Sequence, residues 1–208
     1  MIAGSLGLAL LAGCSGAVVE AQAPVGASVP SAVDSAPETV CSVATERRLL
    51  RRPDTIEPER PVPAFRLAKA DCRVVDSREL VGKQPFVVVF FATWCGVCKR
   101  KLPLLQKALA ARAGRIETLF VSLDDAETWP QVGGYLEEYG FDASVSPVRG
   151  YDFLGFSLGY NPFGGVPVAV VVGRSGYVID VQIGIRQHDY ERFMQALDEA
   201  IAEDPASL

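Results

Sequence analysis

The chain has 208 residues, of which 49% are hydrophobic and 22% are charged. These values are typical of one globular domain with a tail, and the length allows a core that needs no metal or disulfide to fold. The formal net charge of -5 provides no broadly basic face, which argues against nucleic acid as a partner.

The N-terminal residues are almost wholly apolar and end in a tetrapeptide, Leu11–Cys14. This run is too short to span a bilayer, which takes about 20 residues, and it fits the apolar region of a signal peptide. The tetrapeptide resembles a bacterial lipobox, which implies that residues 1–14 are a lipoprotein-type signal and that Cys14 is lipidated. Ser15 after it favours the outer membrane. No Lys or Arg precedes Cys14, so the basic start of the signal lies upstream or the signal is weak.

Residues 15–61 are predicted to form a flexible tether, because their first part is rich in Ala, Val, Ser and Pro without helical or strand periodicity. The folded domain is predicted over residues 62–208. Cys41 and Cys72 form a second disulfide or remain as two free thiols, and an oxidising compartment makes the disulfide plausible.

Regular elements follow from Ala64 onward. Two short strands are expected before a continuous apolar run, Phe86–Phe91, which is typical of a strand buried on both faces. The remaining elements are predicted as a helix over Cys98–Ala111 that contains Pro103, a strand over Ile116–Leu123, a helix capped by Asp125, strands over Val166–Val172 and Tyr177–Ile183, and a final helix from Asp189. The order predicts an α/β fold, a mixed central sheet flanked by helices.

The pair Cys95 and Cys98 carries the clearest chemical signal. It directly follows the buried strand and begins a helix, where free backbone N–H groups and the helix dipole favour an anion. A thiolate is such an anion, so Cys95 is predicted to be the nucleophile that attacks a disulfide from the exposed N-terminal edge. Cys98, one turn on and more buried, is predicted to resolve the mixed disulfide.

The segment Phe90–Lys99 resembles the active-site stretch of the thioredoxin superfamily. The lead-in Gly82–Pro85, the pair Leu102-Pro103 and the segment Gly164–Pro167 are similar to the TlpA/ResA-like, membrane-tethered thiol–disulfide oxidoreductases. This resemblance runs from residue 62 to residue 203 and implies a thioredoxin-like α/β/α sandwich. It also implies that Pro167 is a cis-proline facing the cysteines, and that Trp94, Val166 and Pro167 form the place where a substrate strand docks.

Two departures from these families concern charge beside the dithiol. Thioredoxins carry a buried acid six residues before the first cysteine and ResA-like proteins a Glu three residues after the second, whereas Val89 and Lys101 stand there in this chain. No carboxylate is therefore evident to take the proton from Cys98. Lys101, with Gly96 and Val97 between the cysteines, is predicted to tune the redox potential to a value above that of thioredoxin. Reductase and oxidase both stay open.

Other functions are weaker predictions. A metal site is not expected, because zinc usually takes four ligands and the only histidine, His188, precedes the last helix and is expected to be a surface or capping residue. A peroxiredoxin-like antioxidant protein would need a Pro-x-x-x-Thr-x-x-Cys loop, and neither residue stands at the required offset from Cys95. A non-catalytic binding module generally lacks one cysteine. Trp129 and an aromatic run could form its partner surface, but the run is predicted to pack in the core: Tyr151, Phe153, Phe156, Tyr160 and Phe163.

The sequence thus predicts a dithiol–disulfide exchange protein at the periplasmic side of a bacterial membrane, held there by the lipid on Cys14. Its expected partners are protein thiols or disulfides and an upstream redox protein. No cofactor is expected, because the electrons reside on the sulfurs of Cys95 and Cys98.

Overall fold

A computed structural model describes residues 56–142, 145–150, 154–184 and 187–204. Cys14, Cys41, Tyr151, Phe153 and the predicted signal peptide lie outside these ranges. The elements in chain order are β1 (Arg66–Ala68), β2 (Val74–Asp76), α1 (Ser77–Leu80), β3 (Phe86–Phe91), α2 (Gly96–Ala110), β4 (Glu117–Ser122), a 3-10 turn (Trp129–Gln131), α3 (Val132–Glu138), β5 (Val148–Arg149), α4 (Leu154–Tyr160), β6 (Val168–Val172), β7 (Val178–Ile183) and α5 (Gln187–Ala202).

The central sheet has five strands in the order β5-β4-β3-β6-β7. Strand β3 pairs parallel with β4 and antiparallel with β6, and β7 pairs antiparallel with β6. All six residues of β3 are fully buried, as expected for an uninterrupted β-branched and aromatic run at the centre of a sheet. The predicted mixed sheet is confirmed, and β1 with β2 forms a separate two-stranded sheet.

The two faces of the sheet pack against different elements. Residues of α2, α3 and α5 cover one face, together with both cysteines of the dithiol. Residues of α4 and of the chain before β3 cover the other face, where Phe65 contacts the rings of Phe86, Phe156 and Tyr160. Helices therefore lie on both faces, and the predicted α/β/α sandwich is confirmed.

One edge of the sheet brings three chain segments together. Parallel strands β3 and β4 both end there, and antiparallel β6 begins there just after Pro167. The turn from β3 into α2 carries Cys95, so the sheet topology itself places the dithiol opposite the segment that leads into β6.

Contacts with the folded body begin before residue 62. Ile56 is buried in the core, the Glu59 N–H donates to the Val178 carbonyl at 2.8 Å, and Pro61 forms a bridge to Tyr177. The last residues of the predicted tether thus pair with Val178, the first residue of β7, and with Tyr177 just before it. Residues 1–55, which contain the predicted signal peptide and the rest of the predicted tether, lie outside the described residues.

Several element boundaries differ from the prediction. Asp125 does not cap a helix: its carboxylate accepts from the N–H groups of Glu127 and Thr128 in a turn, and α3 starts only at Val132. Helix α5 starts at Gln187 rather than Asp189, and β5 and α4 were not predicted at all. Pro103 lies inside an uninterrupted α2. None of the helices in the described ranges is long and apolar enough to cross a membrane.

The predicted aromatic core is only partly correct. Tyr160 is buried and Phe156 stacks on Phe90, in agreement with the prediction. Phe163 is instead 76% exposed, because it lies in a surface turn between α4 and β6.

Candidate active site

Cys95 stands at the N-cap of α2, where the backbone is extended before the helix begins. The Cys98 N–H donates to the Cys95 Sγ at 3.0 Å, so a helix N–H that would otherwise lack a partner points at the first sulfur. Cys95 and Cys98 are bonded as a disulfide, with their Cα atoms 5.2 Å apart. One helical turn thus brings the two sulfurs together.

Both cysteines are more enclosed than the sequence suggested. Cys98 is fully buried and Cys95 is 6% exposed, so Cys95 is the more accessible sulfur but does not stand freely on the surface. Both side chains belong to the core that α2, α3 and α5 form on one face of the sheet. Access to the dithiol is therefore narrow in the bonded state.

The segment before β6 lies against Cys95. The Cys95 Sγ is 3.5 Å from the Val166 carbonyl oxygen, and the Val166–Pro167 peptide bond is cis. The buried Asn161 side chain donates to the Gly165 carbonyl at 2.8 Å, and this hydrogen bond fixes the backbone just before Val166. Of the residues that the resemblance assigns to substrate docking, Val166 thus contacts the first cysteine through its carbonyl, and Pro167 directly follows it.

The surface around Cys95 carries apolar and cationic side chains. Trp94 is 60% exposed and Val97 is also exposed, while a Cβ at Gly96 would meet nothing within 4 Å. Lys99 and Arg100 are exposed and Lys101 is half-buried. The residues predicted to tune the redox potential, Gly96, Val97 and Lys101, therefore border the dithiol on the side of α2.

Sequence reasoning did not single out Asp124, a fully buried acid two residues after the end of β4. It accepts from the Thr93 N–H at 3.0 Å, from the Thr93 hydroxyl, and from the Ser122 hydroxyl at 2.6 Å. Thr93 precedes Cys95 by two residues, so this carboxylate holds the turn that carries Cys95. The available signal was an acid at the end of the strand parallel to β3.

Tyr135 of α3 packs on the same region. Its ring stacks on Phe91 at 6.2 Å, and within the described part of the chain its buried hydroxyl has no hydrogen-bond partner. Burial, and secondarily the neighbouring Tyr139 and Asp124, raise the pKa of Tyr135 to about 12. The hydroxyl therefore stays neutral beside the active-site turn.

Comparisons with known proteins agree with this geometry. The model of the AhpC/TSA family matches residues 58–186, more than half of the chain. A thioredoxin H-type of Chlamydomonas reinhardtii is 32% identical over 85 residues, which cover 39% of this chain and 75% of that protein. The chain belongs to the AhpC/TSA family of the thioredoxin superfamily.

Solved structures similar to this AhpC/TSA family member share its fold. A putative protein disulfide isomerase from Bacteroides thetaiotaomicron has a TM-score of 0.59 at 18% identity, covering 71% of this chain and 92% of that one. A putative thiol:disulfide interchange protein DsbE from Chlorobium tepidum has a TM-score of 0.58 at 21% identity, covering 71% of this chain and all of its own. The expected thioredoxin-like fold is confirmed, and with family membership so is the broad enzyme class, a thiol–disulfide oxidoreductase of unassigned direction.

Membership of the AhpC/TSA family does not supply the peroxiredoxin loop. Val88 and Ala92 occupy the positions where that loop needs Pro and Thr, and both are buried in or beside β3. The candidate site of this family member is instead the Cys95–Cys98 pair with the segment around Pro167.

The remaining predicted residues lie away from this site or outside the described ranges. Cys72, in the turn between β1 and β2, is disulfide-bonded, but Cys41 is not described, so their pairing stays a prediction. Within the described residues no group of three or more His, Cys, Asp or Glu side chains is placed to hold a metal ion. His188 lies in the first turn of α5, and its side chain is not among those described.

Proposed function

We propose that this protein exchanges disulfides with protein thiols outside the cytoplasm, with Cys95 as nucleophile and Cys98 as resolving cysteine. One observation carries the proposal: the Cys95 Sγ accepts the Cys98 N–H at 3.0 Å and lies 3.5 Å from the Val166 carbonyl. The first contact favours the thiolate of the reduced protein, and the second places the nucleophile beside a backbone segment on which a peptide can dock.

The exchange runs in two balanced steps. In the reduced protein the Cys95 thiolate attacks one sulfur of a substrate disulfide, forming a mixed disulfide and releasing the other substrate sulfur as a thiolate. The Cys98 thiol then gives its proton to the released substrate thiolate or to water and attacks Cys95, which closes the Cys95–Cys98 disulfide and releases the second substrate thiolate. Two electrons pass to the substrate, and the reverse sequence oxidises a substrate dithiol.

The neighbouring residues have separate proposed roles. Trp94, Val166 and Pro167 receive the substrate segment beside Cys95. Gly96, Val97 and Lys101 set the redox potential, because a cation near α2's N-terminus stabilises the thiolate and hence the reduced form.

The proposed location rests on the N-terminal sequence. The lipobox-like segment ending in Cys14 supports export and a lipid anchor on the periplasmic side. Ser15, the residue after Cys14, favours the outer membrane as the place of the anchor. A disulfide between Cys41 and Cys72 fits the same oxidising compartment. An upstream redox protein in the same compartment, which exchanges electrons with the Cys95–Cys98 pair, is also part of the proposal.

The first test is the reduction potential of the pair in the full chain. Differential alkylation with peptide mass spectrometry reads Cys95 and Cys98 separately from the other cysteines. A value of about -250 mV or lower indicates a reductant, and a value of about -150 mV or higher indicates a disulfide donor. We expect the higher value, because Lys101 stabilises the thiolate and hence the reduced form. A pair that never forms a reversible disulfide contradicts the proposed function and favours a binding module.

Trapping gives an independent readout of the two cysteine roles. Cys98→Ser is expected to accumulate mixed disulfides through Cys95, because the resolving step is lost, whereas Cys95→Ser should accumulate far fewer. Equal trapping by the two variants contradicts the assigned roles.

The AhpC/TSA family match makes a peroxidase the second candidate. Because Val88 and Ala92 replace the peroxiredoxin Pro and Thr, we expect the reduced protein to consume hydrogen peroxide no faster than a simple dithiol. Consumption several orders of magnitude faster would favour the peroxidase.

A further inference from the structure

Three large apolar side chains are exposed around a sulfur that is itself almost covered. Trp94 and Val97 flank Cys95 along the chain, and Phe163 lies three residues before Val166, whose carbonyl contacts the Cys95 Sγ. Three residues of chain span at most about 10 Å, so Phe163 is close to the dithiol. Exposed aromatic and aliphatic groups clustered at a reactive centre mark a contact surface for another molecule.

The turn that carries Phe163 is held by buried groups. The Gly164 N–H donates to the Asn161 carbonyl at 3.0 Å, Gly164 adopts φ +60°, and the buried Asn161 side chain donates to the Gly165 carbonyl. These bonds hold both ends of the turn, so its outward Phe163 is part of a defined conformation. Packing within the domain does not account for this ring, since three quarters of it faces solvent.

Two cations complete the surface. Lys99 lies one turn after Cys95, on the same side of α2, and both Lys99 and Arg100 are exposed. Cations at a helix N-terminus oppose the helix dipole, and the segment from Gly96 to Lys99 holds no acidic residue to compensate. Helix stability therefore does not explain these charges, in a chain whose net charge is -5.

We propose that these five residues, Trp94, Val97, Phe163, Lys99 and Arg100, form a rim that selects the protein substrate. The rim takes an extended segment in which the reacting cysteine has an apolar residue on one side and Asp or Glu on the other. Lys99 and Arg100 attract the acidic residue by charge complementarity, and the exposed apolar groups bind the apolar residue on the other side of the substrate cysteine. An extended segment is required, because a Cys95 that is 6% exposed cannot reach a disulfide within a folded surface. This inference rests on the proposed function and assigns its substrate class.

The test uses the reduced full-length protein and four nonapeptides with one central cysteine. The peptide flanks combine Leu or Ser with Glu or Lys, and each cysteine is a mixed disulfide with thionitrobenzoate. Cys95 attacks the peptide sulfur and thionitrobenzoate leaves as a coloured thiolate; Cys98 then displaces the peptide thiolate. One peptide disulfide is reduced for each protein dithiol oxidised, and stopped-flow absorbance gives the rate constant of the first step.

Ratios of rate constants isolate recognition, because the intrinsic reactivity of Cys95 is common to all four peptides. We expect the Glu peptides to react about fivefold faster than the Lys peptides at low ionic strength, with the ratio falling toward one in 0.5 M salt. The Leu peptides should also exceed the Ser peptides about fivefold. Lys99→Glu combined with Arg100→Glu should invert the Glu/Lys ratio, and Phe163→Ser should reduce the Leu/Ser ratio toward one.

Matched controls separate the rim from general surface effects. Lys107→Glu makes the same kind of charge change at the far end of α2, and Tyr177→Ser removes an exposed aromatic at the end of the sheet away from Pro167. Both should keep the wild-type ratios.

The outcomes distinguish the two levels of the proposal. Equal rates for the four peptides, or wild-type ratios that the rim variants leave unchanged, overturn the proposed rim and leave the exchange function standing. A reduced protein that reacts with none of the peptides overturns the exchange function itself.

Discussion

Among the residues that the structure describes, two aspartates are buried, and their hydrogen-bond partners differ in kind. Asp124, at the active-site end of β4, accepts from neutral donors: the N–H and hydroxyl of Thr93 and the hydroxyl of Ser122. Asp180, within β7, accepts from the Gln182 amide and forms an ion pair with Arg192 of α5 at 2.5 Å. One carboxylate holds a turn, and the other joins a strand to a helix.

The difference predicts how each site responds to loss of its acid. The Asp124 donors are buried, so removal of the carboxylate leaves them without a partner and without water. The Arg192 side chain is largely exposed and can return to solvent. The same residue type thus organises the active-site turn in one place and supports the scaffold in the other.

The largest effect is expected for Asp124→Ala, which should lower the free energy of unfolding by about 3 kcal/mol, because three donors lose their acceptor. The freed turn should also slow the reaction of Cys95 with disulfides about tenfold, since small displacements of a reacting group are costly. Urea unfolding and stopped-flow thiol exchange measure the two effects. If the variant loses stability but exchanges disulfides at the wild-type rate, Asp124 does not position Cys95.

A smaller loss, about 2 kcal/mol, is expected for Asp180→Ala, because the Gln182 amide stays buried while Arg192 becomes hydrated. Its exchange rate, measured well below the unfolding midpoint, should equal that of the wild type. If Asp180→Ala also slowed exchange tenfold, the two buried acids would not differ in their effect on the active-site turn.

Thr93→Val tests the contact with Asp124 from the opposite side. Valine keeps the shape and the backbone N–H but removes the hydroxyl donor, so we expect a loss of about 1 kcal/mol and only a modest slowing of exchange. Thr118→Val, a change of the same type at a partly buried position near the other end of β4, is the matched control. Greater damage from the control than from Thr93→Val would contradict the assignment.

The smallest effect concerns an acid near the surface. Asp76 caps α1, and hydrogen bonds from the Arg78 side chain and N–H lower its pKa from 3.8 to about 2. A lowered pKa stabilises the fold above pH 4, and this contribution is lost as the pH falls to 2. Asp76→Ala should therefore cost about 0.5 kcal/mol at pH 7. In urea titrations the gap from the wild type should close between pH 4 and pH 2; a constant gap would mean that the charge contributes nothing.

Local patterns predicted the sheet and the main helices well. The run Phe86–Phe91 and the helical spacing after Cys98 are strong signals, because burial on both faces and on one helix side imposes them directly. Strand β5 has two residues, too few for periodicity, and the aromatic content of α4 gave no helical signal. Asp125 matched a helix cap by residue type, but its carboxylate is used in a turn.

The candidate site could be predicted from the sequence where its parts are close together along the chain. Cys95 and Cys98 follow from spacing, and Pro167 from a resemblance to known families. Asp124 acts on Thr93 across 31 positions, and no local pattern reports a contact of that range. The outward orientation of Phe163 depends on the turn held by Asn161. The sequence pattern does not show this turn, and an aromatic residue close to buried ones therefore predicts core packing.

The dithiol belongs to the hydrophobic core, since Cys95 and Cys98 are part of the same buried cluster as Leu102 and Phe193. Folding and electron transfer are therefore coupled in one thermodynamic cycle of folded, unfolded, oxidised and reduced states. The stability difference between the oxidised and reduced forms equals the potential difference between the folded pair and the same pair in the unfolded chain, multiplied by the charge transferred. Calorimetric unfolding of the oxidised and reduced forms therefore gives the difference in reduction potential between the folded and the unfolded chain. Any core mutation that stabilises one form more than the other shifts the reduction potential of the folded protein.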